Sequence, residues 1–146
     1  MDIAALVTWV ITALGGFYML GTWLARGGAR SGNSHLPVPV VFGHFALAAI
    51  GLVVWIAYLV ADKDTLAWIA FALLVPVALL GFVMLARWIP VHRARTAAAN
   101  GPVQDGPVQD GPAERNFPVA VVLAHGLFAV VTVVLVLLSA LGAGGN

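Results

Sequence analysis

The chain has 146 residues, 62% of them hydrophobic and 9% charged, with a formal net charge of +1. A soluble domain carries roughly a quarter of its residues as charged side chains. This composition, with a mean hydropathy of +1.01, excludes an ordinary soluble fold and points to an integral membrane protein. There is no cysteine, which excludes disulfides, thiolate metal sites and thiol catalysis.

Four apolar segments are long enough to cross a bilayer core, which takes about 20 helical residues. The first runs near 3–25. Asp2 is its only flanking charge on the N-terminal side and no basic stretch precedes it, so a cleaved signal peptide is not expected. Arg26 and Arg30 follow it, and Pro37 opens the second segment, near 37–61. After Asp62-Lys63-Asp64 comes the third, near 66–89. Pro76 is expected to kink that segment, and Pro90 to close it. The stretch 97–116 holds Gly101-Pro-Val-Gln-Asp105, a second copy of that pentapeptide at 106–110, then Gly111-Pro-Ala-Glu114. Its few apolar residues predict a flexible linker. Pro118 opens the fourth segment, near 117–142, and Pro37 and Pro118 are expected in the first turns of their helices.

The spans read as helices, because backbone in lipid must satisfy its own hydrogen bonds. Six arginines flank one side, namely Arg26, Arg30, Arg87, Arg93, Arg95 and Arg115, and only Lys63 flanks the other. The excess of basic residues predicts that the 26–36 and 90–116 loops are cytoplasmic, with both termini outside the cell (inner) membrane. Trp23 and Trp88 are then expected as interfacial anchors at the inner boundary and Trp68 at the outer one. The bilayer itself is the first partner implied, and nothing in the charge distribution calls for a nucleic acid.

The chain also repeats itself. Leu36-Pro-Val-Pro-Val-Val-Phe-Gly-His44 returns as Phe117-Pro-Val-Ala-Val-Val-Leu-Ala-His125, and Ala13-Leu-Gly-Gly-Phe-Tyr-Met-Leu20 returns as Ala78-Leu-Leu-Gly-Phe-Val-Met-Leu85. Segments one and two are therefore echoed by three and four. Each unit holds two spans, so the copies keep the same orientation and are related by an axis along the membrane normal. The fold expected is an all-α four-transmembrane-helix bundle built from two parallel two-helix repeats.

The repeat sets His44 and His125 at one depth, about 10 Å from the cytoplasmic helix starts at 1.5 Å per residue. It pairs Met19 with Met84 near the same level. His44, Leu47, Ala48, Gly51, Trp55 and Tyr58 share one stripe, as do His125, Phe128, Ala129, Thr132, Val136 and Ser139. Thr8, Thr12, Gly15 and Met19 form another. Small and polar stripes face the interior of a membrane bundle, so the two imidazoles are expected to face each other.

Three readings of this pair follow. The first is axial ligation of one haem b between segments two and four. Gly43, Gly126, Gly15, Gly16 and Gly81 would make room, Phe17, Phe42, Phe82 and Phe128 would flank the ring, and the loop arginines with His35 and His92 would meet the propionates. The second is a copper site of His44, His125, Met19 and Met84, since thioethers favour Cu(I). The third is a cofactor-free scaffold subunit in which the histidines only fix helix packing. The haem reading leads, because ionisable residues inside a membrane are functional by default.

In its four spans and in His44 and His125 the chain resembles small four-helix membrane cytochromes b. That resemblance implies one-electron transfer, or redox or haem sensing, with a redox protein or quinone as partner, and a homodimer or a place in a larger complex. Two-haem members of that class carry four histidines within their spans. Here the outer half has none, which leaves one haem and no complete electron path across the bilayer. Every acidic residue lies in a loop or tail, and no HExxH pattern or glycine-rich phosphate loop occurs. Self-contained hydrolase or transferase chemistry is therefore not expected.

Overall fold

A computed structural model describes residues 1–30, 32–101 and 111–143. Its elements are α1 (Asp2–Ala25), α2 (Val38–Ala61), α3 (Asp64–Ala99), a 3-10 turn (Ala113–Asn116) and α4 (Val119–Ala140), with no strand among the described residues. All four α-helices are long and apolar enough to cross a membrane. Their outward faces are apolar as well: Leu14 is 64% exposed, Val53 66% and Leu127 65%. Such faces suit lipid. This is a four-helix transmembrane bundle.

The sequence places local signals at each helix end. Pro37 and Pro118 stand one residue before their helices, as N-caps rather than within the first turn. Each carbonyl receives two amides of the new turn, from Val40 and Val41 at 2.9 and 3.1 Å and from Val121 and Val122 at 3.0 and 3.1 Å. The helix α1 closes on Gly27, whose φ of 74° is the left-handed conformation that costs glycine least. There the amide of Gly28 bonds the Trp23 carbonyl and that of Gly27 the Leu24 carbonyl, which satisfies two of the carbonyls a helix end leaves open.

The third helix departs from expectation. It begins at Asp64 and passes through Pro76 and Pro90 to Ala99, well beyond the expected end at 89. A proline inside a helix costs about 3 kcal/mol in a lost hydrogen bond and a steric clash. Contacts beyond Pro90 oppose that cost: Val91 is buried, and Arg95 Nη1 donates to the Arg115 carbonyl at 2.9 Å. The expected linker at 97–116 shrinks accordingly. Residues 97–99 are helical, and Ala113 and Glu114 are buried in the 3-10 turn. The duplicated pentapeptide lies, apart from Gly101, outside the described residues.

Helix α1 packs along α4 and α2 along α3; α3 also meets α4, and α1 and α2 touch more lightly. The pairs α1/α3 and α2/α4 lie on the diagonals. Replacing the first repeat by the second turns the α1–α4 seam into the α3–α2 seam, so the two tightest seams are equivalents under the pseudo-two-fold axis. The buried core divides in two. One cluster, at the Lys63 end, holds Trp9, Trp55, Tyr58, Leu74 and Val136. The other, at the arginine-rich end, holds Trp23, Leu36, Val41, Trp88, Ala113 and Phe117.

Two tryptophans thus differ from expectation. Trp23 and Trp88 are 1% and 6% exposed, core residues rather than interfacial anchors. The indole N–H of Trp23 donates to Ser34 Oγ at 2.9 Å, as buried indoles usually do to some acceptor. Trp68, 43% exposed, does sit on the surface.

Candidate functional site

Between the two clusters lies a layer with no buried side chain. On α1 nothing between Trp9 and Trp23 is buried, and the same holds between Val41 and Gly51 on α2, Val77 and Trp88 on α3, and Phe117 and Thr132 on α4. On α3 this layer is roughly 16 Å tall at 1.5 Å per residue. His44 and His125 stand within it.

The two imidazoles meet across the diagonal, with ring centres 6.2 Å apart and ring planes inclined at 51°. His44 Nδ1 lies 2.9 Å from the Val77 carbonyl on α3. His125 Nδ1 lies 2.8 Å from the Thr12 carbonyl on α1. Val77 and Thr12 are themselves equivalents, each immediately before the repeated Ala78 and Ala13. A carbonyl only accepts, so Nδ1 carries the hydrogen in both rings. In the neutral tautomer Nε2 then keeps its lone pair. Among the described residues no protein group hydrogen-bonds either Nε2.

The glycines fall into two kinds. A Cβ at Gly16 would stand 3.2 Å from His125 Cε1, and one at Gly81 would stand 3.4 Å from His44 Cε1. These glycines let the imidazoles approach the neighbouring helix, so their contact is with the rings themselves. A Cβ at Gly15 would likewise meet His125, at 3.5 Å. Gly43 and Gly126 do not share this role: a Cβ at Gly43 would reach only Leu80, at 3.9 Å, and one at Gly126 would meet nothing within 4 Å. Gly16→Leu and Gly81→Leu are expected to displace a histidine ring and cost about 1–3 kcal/mol, the usual range for overpacking. Gly126→Leu is expected to change stability by less than about 0.5 kcal/mol. Thermal unfolding in detergent compares the three.

The remaining candidates scatter. Met19 and Met84 are partly buried against the Trp23–Trp88 cluster. Phe17 and Phe82 are 56% and 61% exposed, and Phe42 is exposed as well. Phe17 packs edge-on against Phe45 instead. His92 stacks on Trp88 with ring centres 5.0 Å apart, and the side chain of His35 is largely solvent-exposed. No group of three or more His, Cys, Asp or Glu able to hold a metal ion occurs among the described residues.

One important residue was not legible in the sequence. Glu114 is wholly buried. Its carboxylate accepts the Ser34 hydroxyl and the His35 amide, both at 2.7 Å. Ser34 Oγ accepts in turn from Trp23 Nε1 and from the Leu36 amide, and the Ala113 amide bonds the Asn33 carbonyl at 2.9 Å. The two loops at the arginine-rich end are therefore latched together beneath the histidine layer. An acid inside a Gly-Pro-rich stretch has no periodicity to betray its burial.

Comparisons with protein-family models, curated proteins and solved structures return no match.

Proposed function

We propose that the protein binds one haem b through Nε2 of His44 and Nε2 of His125 and serves in electron transfer, or in redox or haem sensing. The observation that carries this reading is the pair of imidazoles meeting across the bundle, each with Nδ1 bonded to a backbone carbonyl and Nε2 without a protein partner among the described residues. Two imidazoles bound to one metal from opposite sides at about 2.0 Å hold their ring centres about 6 Å apart, close to the 6.2 Å between these rings. That spacing suits any centrally held metal. The packing of Met19 and Met84 against the tryptophan cluster weighs against a copper site that uses both thioethers.

A bound haem would supply one-electron chemistry, and the chain's own residues would tune it. The Nδ1–H bonds to the Val77 and Thr12 carbonyls fix the tautomer and raise the basicity of Nε2. His44 and His125 would both hold the metal, leaving the protein's own groups no role in oxygen chemistry there. The Trp9–Trp55 and Trp23–Trp88 clusters would keep water out from either end. By the positive-inside rule the arginine-rich end is cytoplasmic and both termini are outside. A quinone or redox protein on that side is the expected partner, because one centre in one half of the bundle gives no full path across.

The test is the visible spectrum of the detergent-purified protein, oxidised and dithionite-reduced, with its copper content. A Soret band and sharpened reduced α and β bands support haem. A colourless preparation with stoichiometric copper supports the metal-ion reading, and a preparation with neither supports a cofactor-free scaffold.

A further inference from the structure

A second site lies at the arginine-rich end, independent of what the histidines hold. A cleft of about 650 Å³ opens between the last turns of α3, His35 and the 111–115 segment. Arg87, Arg95 and Arg115 converge on it, while Pro90 and Val91 form part of an apolar wall, and among the described residues no carboxylate lines it. We propose that this cleft binds the phosphate of an anionic phospholipid.

Two of the three arginines are steered rather than merely present. Arg87 Nη1 donates to the His35 carbonyl at 3.1 Å and Arg95 Nη1 to the Arg115 carbonyl at 2.9 Å. A guanidinium has five N–H groups in a planar fork, so one carbonyl bond orients it and leaves donors for a phosphate. Orientation in the membrane needs basic residues on one side, and Arg26, Arg30 and Arg93 also serve that need. It does not require three arginines to share one cleft. Proline, valine and alanine would be a poor lining for a free hydrated anion. They suit a head group whose chains run back along the helix, where Leu85 and Ile89 are 37% and 36% exposed. Basic pockets at the ends of transmembrane helices bind anionic head groups in this manner.

The full chain, delipidated in detergent, is titrated with phosphatidylglycerol, phosphatidylcholine or inorganic phosphate, and bound lipid is counted by native mass spectrometry. One phosphatidylglycerol per chain is expected, bound at least about fivefold more tightly than phosphatidylcholine, since each arginine near the surface contributes about a fivefold factor. Arg115→Gln, which leaves the carbonyl bonds of Arg87 and Arg95 in place, is expected to lose about fivefold. Arg115→Lys should recover part of that loss, because it restores the charge without the fork. Arg93→Gln, outside the cleft, should bind as the parent does. Equal binding of the two lipids, or an anionic preference unchanged by Arg115→Gln, overturns the proposal. So does displacement of phosphatidylglycerol by millimolar phosphate, which would mark a site for small anions.

Discussion

His44→Ala and His125→Ala are each expected to lower the haem carried per chain by at least about tenfold, since loss of even an outer-shell partner of a metal ligand costs 10–100-fold. The effect on folding should be much smaller. Each substitution removes one hydrogen bond to a backbone carbonyl, at Val77 or Thr12, worth about 1 kcal/mol. Large loss of cofactor with modest loss of stability distinguishes a ligand from a packing residue. A scaffold role would move thermal stability alone. The double variant carries further information: if both rings serve one centre, its loss should differ from the combined losses of the two single variants, because effects within one site are not additive. Haem content by absorbance and unfolding by circular dichroism, in the same detergent, measure the two sides.

Glu114→Ala is expected to be the most destabilising single change outside the helices, by about 3 kcal/mol, because it strands buried donors that cost about 1–3 kcal/mol each when unpaired. The His35 amide loses its acceptor outright. Ser34 loses the partner of its hydroxyl while still receiving the Trp23 indole. Glu114→Gln should fall between, since its amide oxygen still accepts while its NH2 group meets a donor. Loosening should concentrate at the arginine-rich end, where Trp23, Leu36 and Phe117 share a cluster with Ala113. Proteolysis within 111–117 reads it directly, and unchanged resistance in Glu114→Ala would sink the latch.

The repeat was the most legible feature of the chain. Matching His44 with His125 and Gly16 with Gly81 required only the sequence, and the paired Nδ1–carbonyl bonds obey the same correspondence. The inward stripes were legible too: Gly51, Trp55 and Tyr58 on α2, and Thr132, Val136 and Ser139 on α4, are all buried. What was missed depends on the ends of the bundle. Pro90 looks like a stop until Val91 is buried and Arg95 reaches the Arg115 carbonyl. Trp23 looks interfacial until Ser34 reaches its indole. Glu114 looks solvated until two loops far apart in sequence close over it. Each depends on a contact between distant segments, which periodicity does not encode. Phe17 and Phe82 departed from expectation for another reason. Sharing a level with the histidines does not decide on which side of the helix Phe17 or Phe82 stands, and both face outward.

Two histidines from equivalent helices are proposed to form one cofactor site. Titration of haem-free protein with haemin in detergent, followed at the Soret band, tests it most directly. Saturation at one haem per chain is expected, with a six-coordinate low-spin spectrum, and no saturable binding in the His44→Ala/His125→Ala double variant. Absence of saturable binding in the parent chain, or an unchanged titration in the double variant, would contradict it.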